Sequence, residues 1–314
     1  MKLGSSPAFS FRLLPLATTM LLVCHGARAG ELTLFASLPP QSYVVERVAG
    51  EAARVFTLAE AGQDPHVFEP APRQIAALAN ADAYFLAGLP FEERLAQKAR
   101  ASNPALRIVD ACKGIERLPS PEAAQQAHGE GADGAPGQER PDAAGHAHGH
   151  EELDPHVWLS PVALQIMARN IASALAEIDP SNAAKYQANL EAFAQDAQAT
   201  DARIAAQMKP YEGRSFFVFH PAFGYFAAAY GLRQRAVESE GKAPTPRQLR
   251  ELIAEARREN ARVIFVQPQF DRSAAEAIAS AIGAEALPLD PMERDALANL
   301  ERVADALRNA WDRQ

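Results

Sequence analysis

The sequence predicts an α/β protein: two parallel-sheet lobes joined by one long helix. Three observations point there. Short apolar runs alternate with amphipathic segments in both halves of the chain. One helical pattern, much longer than the rest, separates the two series. The 314 residues, 48% of them hydrophobic, suffice for one large or two medium domains with real cores.

Residues 1–29 read as an export signal. Lys2 and Arg12 precede or flank a short apolar run at 13–23, and Ala27-Arg28-Ala29 is a small-x-small cleavage site. The run is too short to span a bilayer. A lipid anchor would need Cys24 as the first mature residue, and Val23 before it is too large for the usual lipoprotein cleavage site. Cleavage leaves 285 residues. It removes Lys2, Arg12 and Arg28 but no acid, so the formal charge moves from −8 to −11. Such a surface disfavours nucleic acid and anionic membranes. Cys112 is then the only cysteine, which excludes an intrachain disulfide and suggests a buried, inert thiol.

The first lobe is expected over 30–178. Apolar runs at 32–36, 55–58, 83–87 and 108–109 are the strands, and 42–48 and 75–78 fit helices. Residues 120–152 are rich in Ala, Gly, Pro, Gln and charge and cannot bury enough apolar surface to fold, so a mobile loop is expected. It carries His128 and the alternating trio His146, His148 and His150, a composition suited to weak auxiliary metal capture.

A connecting helix is expected over 179–209. Asp179 can cap it, Pro180 suits its first position and Pro210 closes it. Tyr186, Leu190, Phe193, Ala197, Ile204 and Met208 keep to one face. The second lobe follows over 210–314. A strand at 216–219 ends at His220. Thr245-Pro246-Arg247-Gln248 is a capping box whose helix turns Leu249, Leu252, Ile253 and Ala256 inward. Next come a strand at 263–266 and a helix at 273–282, with Glu276 completing a second capping box and Gly283 as the stop. A strand at 286–289 ends at Asp290, and Leu297, Leu300, Ala304, Leu307 and Trp311 mark the last helix.

The chemistry lies in a doubled tetrapeptide. Asp64-Pro65-His66-Val67 precedes Phe68, and Asp154-Pro155-His156-Val157 precedes Trp158. A third histidine, His220, follows an apolar run, and Asp290 again precedes proline. Widely separated ligands at strand ends and turns suggest a metal site assembled by the fold, unlike the short spacing of a zinc finger. Three imidazoles and a carboxylate suit tetrahedral zinc. Glu69 competes with Asp290 for the fourth place, while Asp64 and Asp154 fit better as residues that orient their loops. The chain has neither a His-Glu-x-x-His helix nor a Gly-x-Ser-x-Gly elbow. No carboxylate is obviously placed as a general base beside the histidines, so binding fits better than catalysis.

These motifs resemble the metal-specific solute-binding proteins of ABC importers, zinc/manganese class. The resemblance runs from about Leu32 to Trp311. Besides the two Asp-Pro-His segments it includes Phe219-His220-Pro221-Ala222-Phe223-Gly224-Tyr225, Gly241-Lys242-Ala243-Pro244-Thr245-Pro246 and Leu289-Asp290-Pro291-Met292. It implies two α/β lobes, a rigid connecting helix, and a metal in the inter-lobe cleft held by His66, His156, His220 and Asp290. Within the family, histidine at the third position points to zinc and glutamate to manganese. Gln267 departs from the glutamate frequent before Pro268, and Arg73 and Gln74 depart from the serine or aspartate usual after Pro72. The expectation is therefore a monomeric periplasmic protein, not an enzyme, that carries Zn2+ to an importer permease. Manganese or iron carriage, a secreted zinc hydrolase and a metal-dependent adhesin are the alternatives.

Overall fold

The computed structural model describes residues 31–120, 153–238, 244–270 and 272–313. The signal read at 1–29 and the loop histidines His128, His146, His148 and His150 lie outside them. The first sheet is built from β1 (Leu32–Ala36), β2 (Ala53–Thr57), β3 (Ala83–Leu86) and β4 (Arg107–Asp110), all parallel, in the order β2-β1-β3-β4. Helices α1 (Pro39–Ala49), α2 (Pro72–Leu78) and α3 (Pro90–Ser102) make the crossovers. Each begins with proline, whose missing N–H is no loss in a first turn.

Two helices follow, α4 (Pro161–Ile178) and α5 (Ala183–Met208). The strand–helix alternation does not announce α4. Its start is nonetheless written in Ser160-Pro161: the Ser160 hydroxyl accepts from the Ala163 N–H at 3.3 Å. The long connecting helix is α5, flanked by 3-10 turns at Pro180–Asn182 and Lys209–Tyr211, the second containing Pro210. Tyr186, Phe193, Ala197, Ile204 and Met208 form its buried stripe. It packs on α1 of the first lobe and on α9 (Ala296–Asp312) of the second. Asn189 donates to the Val48 carbonyl at 3.0 Å, and Arg203 Nε donates to Glu301 at 2.7 Å, so α5 is tied to both lobes.

The second sheet repeats the topology of the first. Strands β5 (Ser215–Val218), β6 (Arg233–Ala236), β7 (Val263–Val266) and β8 (Glu285–Pro288) run parallel in the order β6-β5-β7-β8. Helices α6 (Gly224–Ala229), α7 (Pro246–Arg258) and α8 (Arg272–Ile282) make the connections. The Thr245–Gln248 capping box forms as expected. Helix α8 starts at Arg272, which leaves Ser273 inside the first turn, and Glu276 pairs with Arg272 at 2.7 Å. Strand β6 was not expected either: Arg233-Gln234-Arg235-Ala236 lies at the sheet edge, where only one side meets a neighbouring strand and apolar residues are not required.

One apolar core runs through both lobes, from Leu34 and Phe85 through Trp158 and Phe193 to Phe223 and Leu307. The opposite face of each sheet has its own cluster, Phe35, Leu58, Tyr84 and Leu95 in the first lobe and Phe217, Ile264, Ala256 and Ala275 in the second. The alternation Leu34, Phe35, Ala36 thus feeds both faces of a sheet covered on both sides. Cys112 is buried and unpaired, its thiol pushed up to about 12 by burial. Among the described residues no helix is long and apolar enough to cross a membrane.

Candidate metal centre

His66 lies between β2 and α2, His156 just before α4, and His220 two residues past β5. Their Nε2 atoms converge. Those of His66 and His156 are 3.3 Å apart and those of His156 and His220 3.4 Å. The candidate ligand atoms of all three lie within 4.8 Å of one another. As in other parallel α/β sheets, the meeting point lies beyond the carboxyl ends of strands.

The doubled tetrapeptide has a local structural meaning. Asp64 Oδ1 accepts the His66 N–H and Asp154 Oδ1 accepts the His156 N–H, each at 2.9 Å. Proline between them has no N–H and a fixed φ, so the aspartate side chain closes a turn that presents the histidine. Asp290-Pro291-Met292 makes the same turn, with the Met292 N–H on Asp290 Oδ1 at 2.9 Å.

Two buried carboxylates orient the imidazoles. Asp154 is 2% exposed, and its Oδ1 also accepts from His156 Nδ1 at 2.7 Å. Glu238 is 4% exposed and accepts from His220 Nδ1. With Nδ1–H donated, each ring turns an Nε2 lone pair toward the meeting point, the arrangement in which carboxylates hold metal-binding histidines. Facing lone pairs cannot bond to each other; a cation or a proton between them relieves the repulsion. Burial, and next the charge of His220, lower the pKa of His66 below its ordinary value, which favours a neutral ring.

The supports extend outward. Gly224 leaves room for Asp154: a Cβ there would sit 2.6 Å from Asp154 Oδ2. Tyr225 donates to the Asp154 carbonyl at 3.2 Å and accepts from the Leu118 N–H at 3.1 Å. Gln267, 1% exposed, clamps the His220 backbone both ways, accepting its N–H at 3.0 Å and donating to its carbonyl at 2.7 Å. A carboxylate at 267 could accept but not donate, so glutamine suits this position. Phe270 stacks on the His220 ring at 4.7 Å. Trp158 lies edge-on to His156 at 5.3 Å, and its indole N–H donates to the Pro291 carbonyl at 2.8 Å.

The three rings, Gln269, Phe270, Pro291 and Met292 border a cavity of about 10 Å³. Among the described residues, the His/Cys/Asp/Glu group that converges here is His66, His156 and His220; neither Asp290 nor Glu69 belongs to it. Glu69 is exposed. The Asp290 carboxylate is held one side chain away, its Oδ1 accepting from Gln269 Nε2 at 2.9 Å. Glu238, Gln267 as a clamp, and Gln269 are contributions that sequence reasoning did not identify. Glu238 follows the polar edge strand β6 and had no signal of its own. Gln267 was visible only as a departure from a family pattern.

Comparison with known proteins identifies the family. The model of the family described as zinc-uptake complex component A, periplasmic (ZnuA), matches residues 34–310. The zinc-binding lipoprotein AdcA of Streptococcus pneumoniae serotype 4 is 26% identical over 289 residues, covering 90% of this chain and 55% of AdcA. The chain thus spans about half the length of that relative. The high-affinity zinc uptake system protein ZnuA of Paracoccus denitrificans is 30% identical over 250 residues, 73% of this chain and 74% of the relative. The crystal structure of a zinc-bound ZnuA deletion mutant superposes with a TM-score of 0.77 at 36% identity, covering 90% of this chain and 98% of that one. Two four-stranded parallel sheets of like order, joined by a long helix and carrying converging histidines, complete the case, and the chain belongs to the ZnuA family.

Proposed function

We propose that this protein binds Zn2+ outside the cytoplasm through His66, His156 and His220, with Asp290 as the fourth ligand, and delivers it to the permease of an ABC importer. The observation that carries the reading is the convergence of three Nε2 atoms, two of them on rings held by buried carboxylates. Neutral imidazole is a borderline ligand, and zinc accepts it without a geometric preference of its own. The Asp154 and Glu238 carboxylates behind the rings oppose the charge of a divalent cation. A cavity of about 10 Å³ bordered by the three imidazoles is of a size to take a single ion. The names of the relatives support zinc as cargo. Export by the 1–29 signal to the periplasm and action as a monomer complete the proposal.

The test is a chelator-competition titration. His66→Ala, His156→Ala and His220→Ala should each weaken zinc binding by orders of magnitude, and Asp290→Ala by less, because its carboxylate is already engaged by Gln269 and the Met292 N–H. A histidine variant that titrates like wild type would remove that residue from the site.

A further inference from the structure

Gln269 joins the metal cavity to the aspartate beside it. Its side chain borders the same cavity as the three imidazoles. Its Nε2 donates to Asp290 Oδ1 at 2.9 Å, on the oxygen that already accepts the Met292 N–H. Its Oε1 is buried and has no hydrogen-bond partner among the described residues. The Asp290 backbone is fixed as well, by Asn299 Nδ2 donating to its carbonyl at 2.8 Å. The amide therefore leaves one polar atom unsatisfied while engaging Asp290, a combination that hydrogen bonding alone does not favour.

We infer that Gln269 is a selectivity-determining positioning residue: by bonding Asp290 Oδ1 it holds that carboxylate and draws electron density from it, and so shifts the site's preference from manganese toward zinc. The reason is ligand hardness. Three neutral imidazoles suit zinc, whereas manganese gains most from carboxylate oxygen. A carboxylate accepting two N–H bonds is a weaker electron-pair donor than a free one. Manganese, which depends on that oxygen, loses more than zinc, which the imidazoles already hold. This inference rests on the three-histidine reading and adds to it the group that tunes metal choice.

The experiment compares Zn2+ and Mn2+ dissociation constants, by chelator competition on the mature protein, for wild type, Gln269→Leu and Gln269→Ala, each also combined with Asp290→Asn. Leucine keeps the bulk of the side chain and removes the amide; alanine provides a second variant should leucine pack badly. The expected result is a zinc-over-manganese ratio reduced roughly tenfold in the Gln269 variants, with no reduction in the Asp290→Asn background. An unchanged ratio in folded Gln269 variants overturns the assignment, and so does a reduction that survives Asp290→Asn. Wild-type protein without tight zinc binding would sink the three-histidine reading itself, so the two failures are distinguishable.

Discussion

Gly224→Ala tests the site through a residue that touches no imidazole. Gly224 opens α6 in the second lobe, and no unusual backbone torsion forbids a side chain there. The obstacle is Asp154. A new Cβ would lie 2.6 Å from its Oδ2, about 0.8 Å inside the ~3.4 Å at which ordinary van der Waals contact begins. Asp154 is 2% exposed and has little freedom to retreat. Displacing or turning the carboxylate to relieve that contact lengthens both bonds from Asp154 Oδ1, at 2.7 Å to His156 Nδ1 and at 2.9 Å to the His156 N–H, toward or past the limit of hydrogen bonding. Losing such an outer partner typically lowers metal affinity about 10–100-fold, or roughly 1.4–2.7 kcal/mol. Chelator competition for zinc measures it, with circular dichroism to confirm folding. In an Asp154→Ala background the same substitution should have almost no further effect, because the two act on one bond. Wild-type affinity in folded Gly224→Ala, or a full loss that persists without the Asp154 carboxylate, refutes the argument.

Three other outcomes are expected. Zinc should raise the melting temperature more than manganese does, by roughly 4 kcal/mol of stabilisation at a thousandfold excess over the dissociation constant; equal shifts for both metals would count against zinc as cargo. His66 has a lowered pKa in the folded chain, so below about pH 6.5 the unfolded state takes up a proton that the folded state refuses. Stability of the metal-free protein should therefore fall as pH drops through that region, and zinc affinity should fall with it as protons compete for the rings; affinity constant down to pH 5 would exclude histidines as the main ligands. Finally, deleting 123–149 should leave the fold and one tight zinc equivalent intact while removing weaker equivalents. The described residues on either side of 121–152 are joined, by the antiparallel bridge Pro119–Leu153 and by the Asp154 N–H on the Leu118 carbonyl at 2.9 Å. Calorimetry in which the tight equivalent disappears with the segment would place part of the primary site there.

What was legible in the sequence follows from how local each feature is. His66 and His156 could be read because the Asp-Pro-His turn is closed by the residue two places earlier, so its geometry is written in three adjacent residues. Strands such as Val263–Val266 were legible because a covered parallel sheet requires an unbroken apolar run. Strand β6 and Glu238 were not, because an edge strand needs no such run, and the Glu238–His220 pairing is a tertiary contact between loops 18 residues apart. Asp290 shows the limit of motif reasoning. Its Asp-Pro turn was recognisable, but nothing local says that Gln269, 21 residues away, holds the carboxylate.

The spacing of the three histidines has a consequence for the life cycle of the protein. A cation on their Nε2 atoms ties together positions separated by 90 and 64 residues along the chain. The only cysteine among the described residues is unpaired, so no covalent bond does this. On the function proposed above, the bound ion acts as a removable staple. In chain-entropy terms, closing a loop of about 100 residues restricts the unfolded ensemble by up to roughly 4.7 kcal/mol, a constraint that vanishes when the ion leaves. The metal-bound protein is then expected to be more stable than the metal-free one. On the function proposed above, protease digestion of the metal-free protein should be faster than that of the zinc-loaded protein.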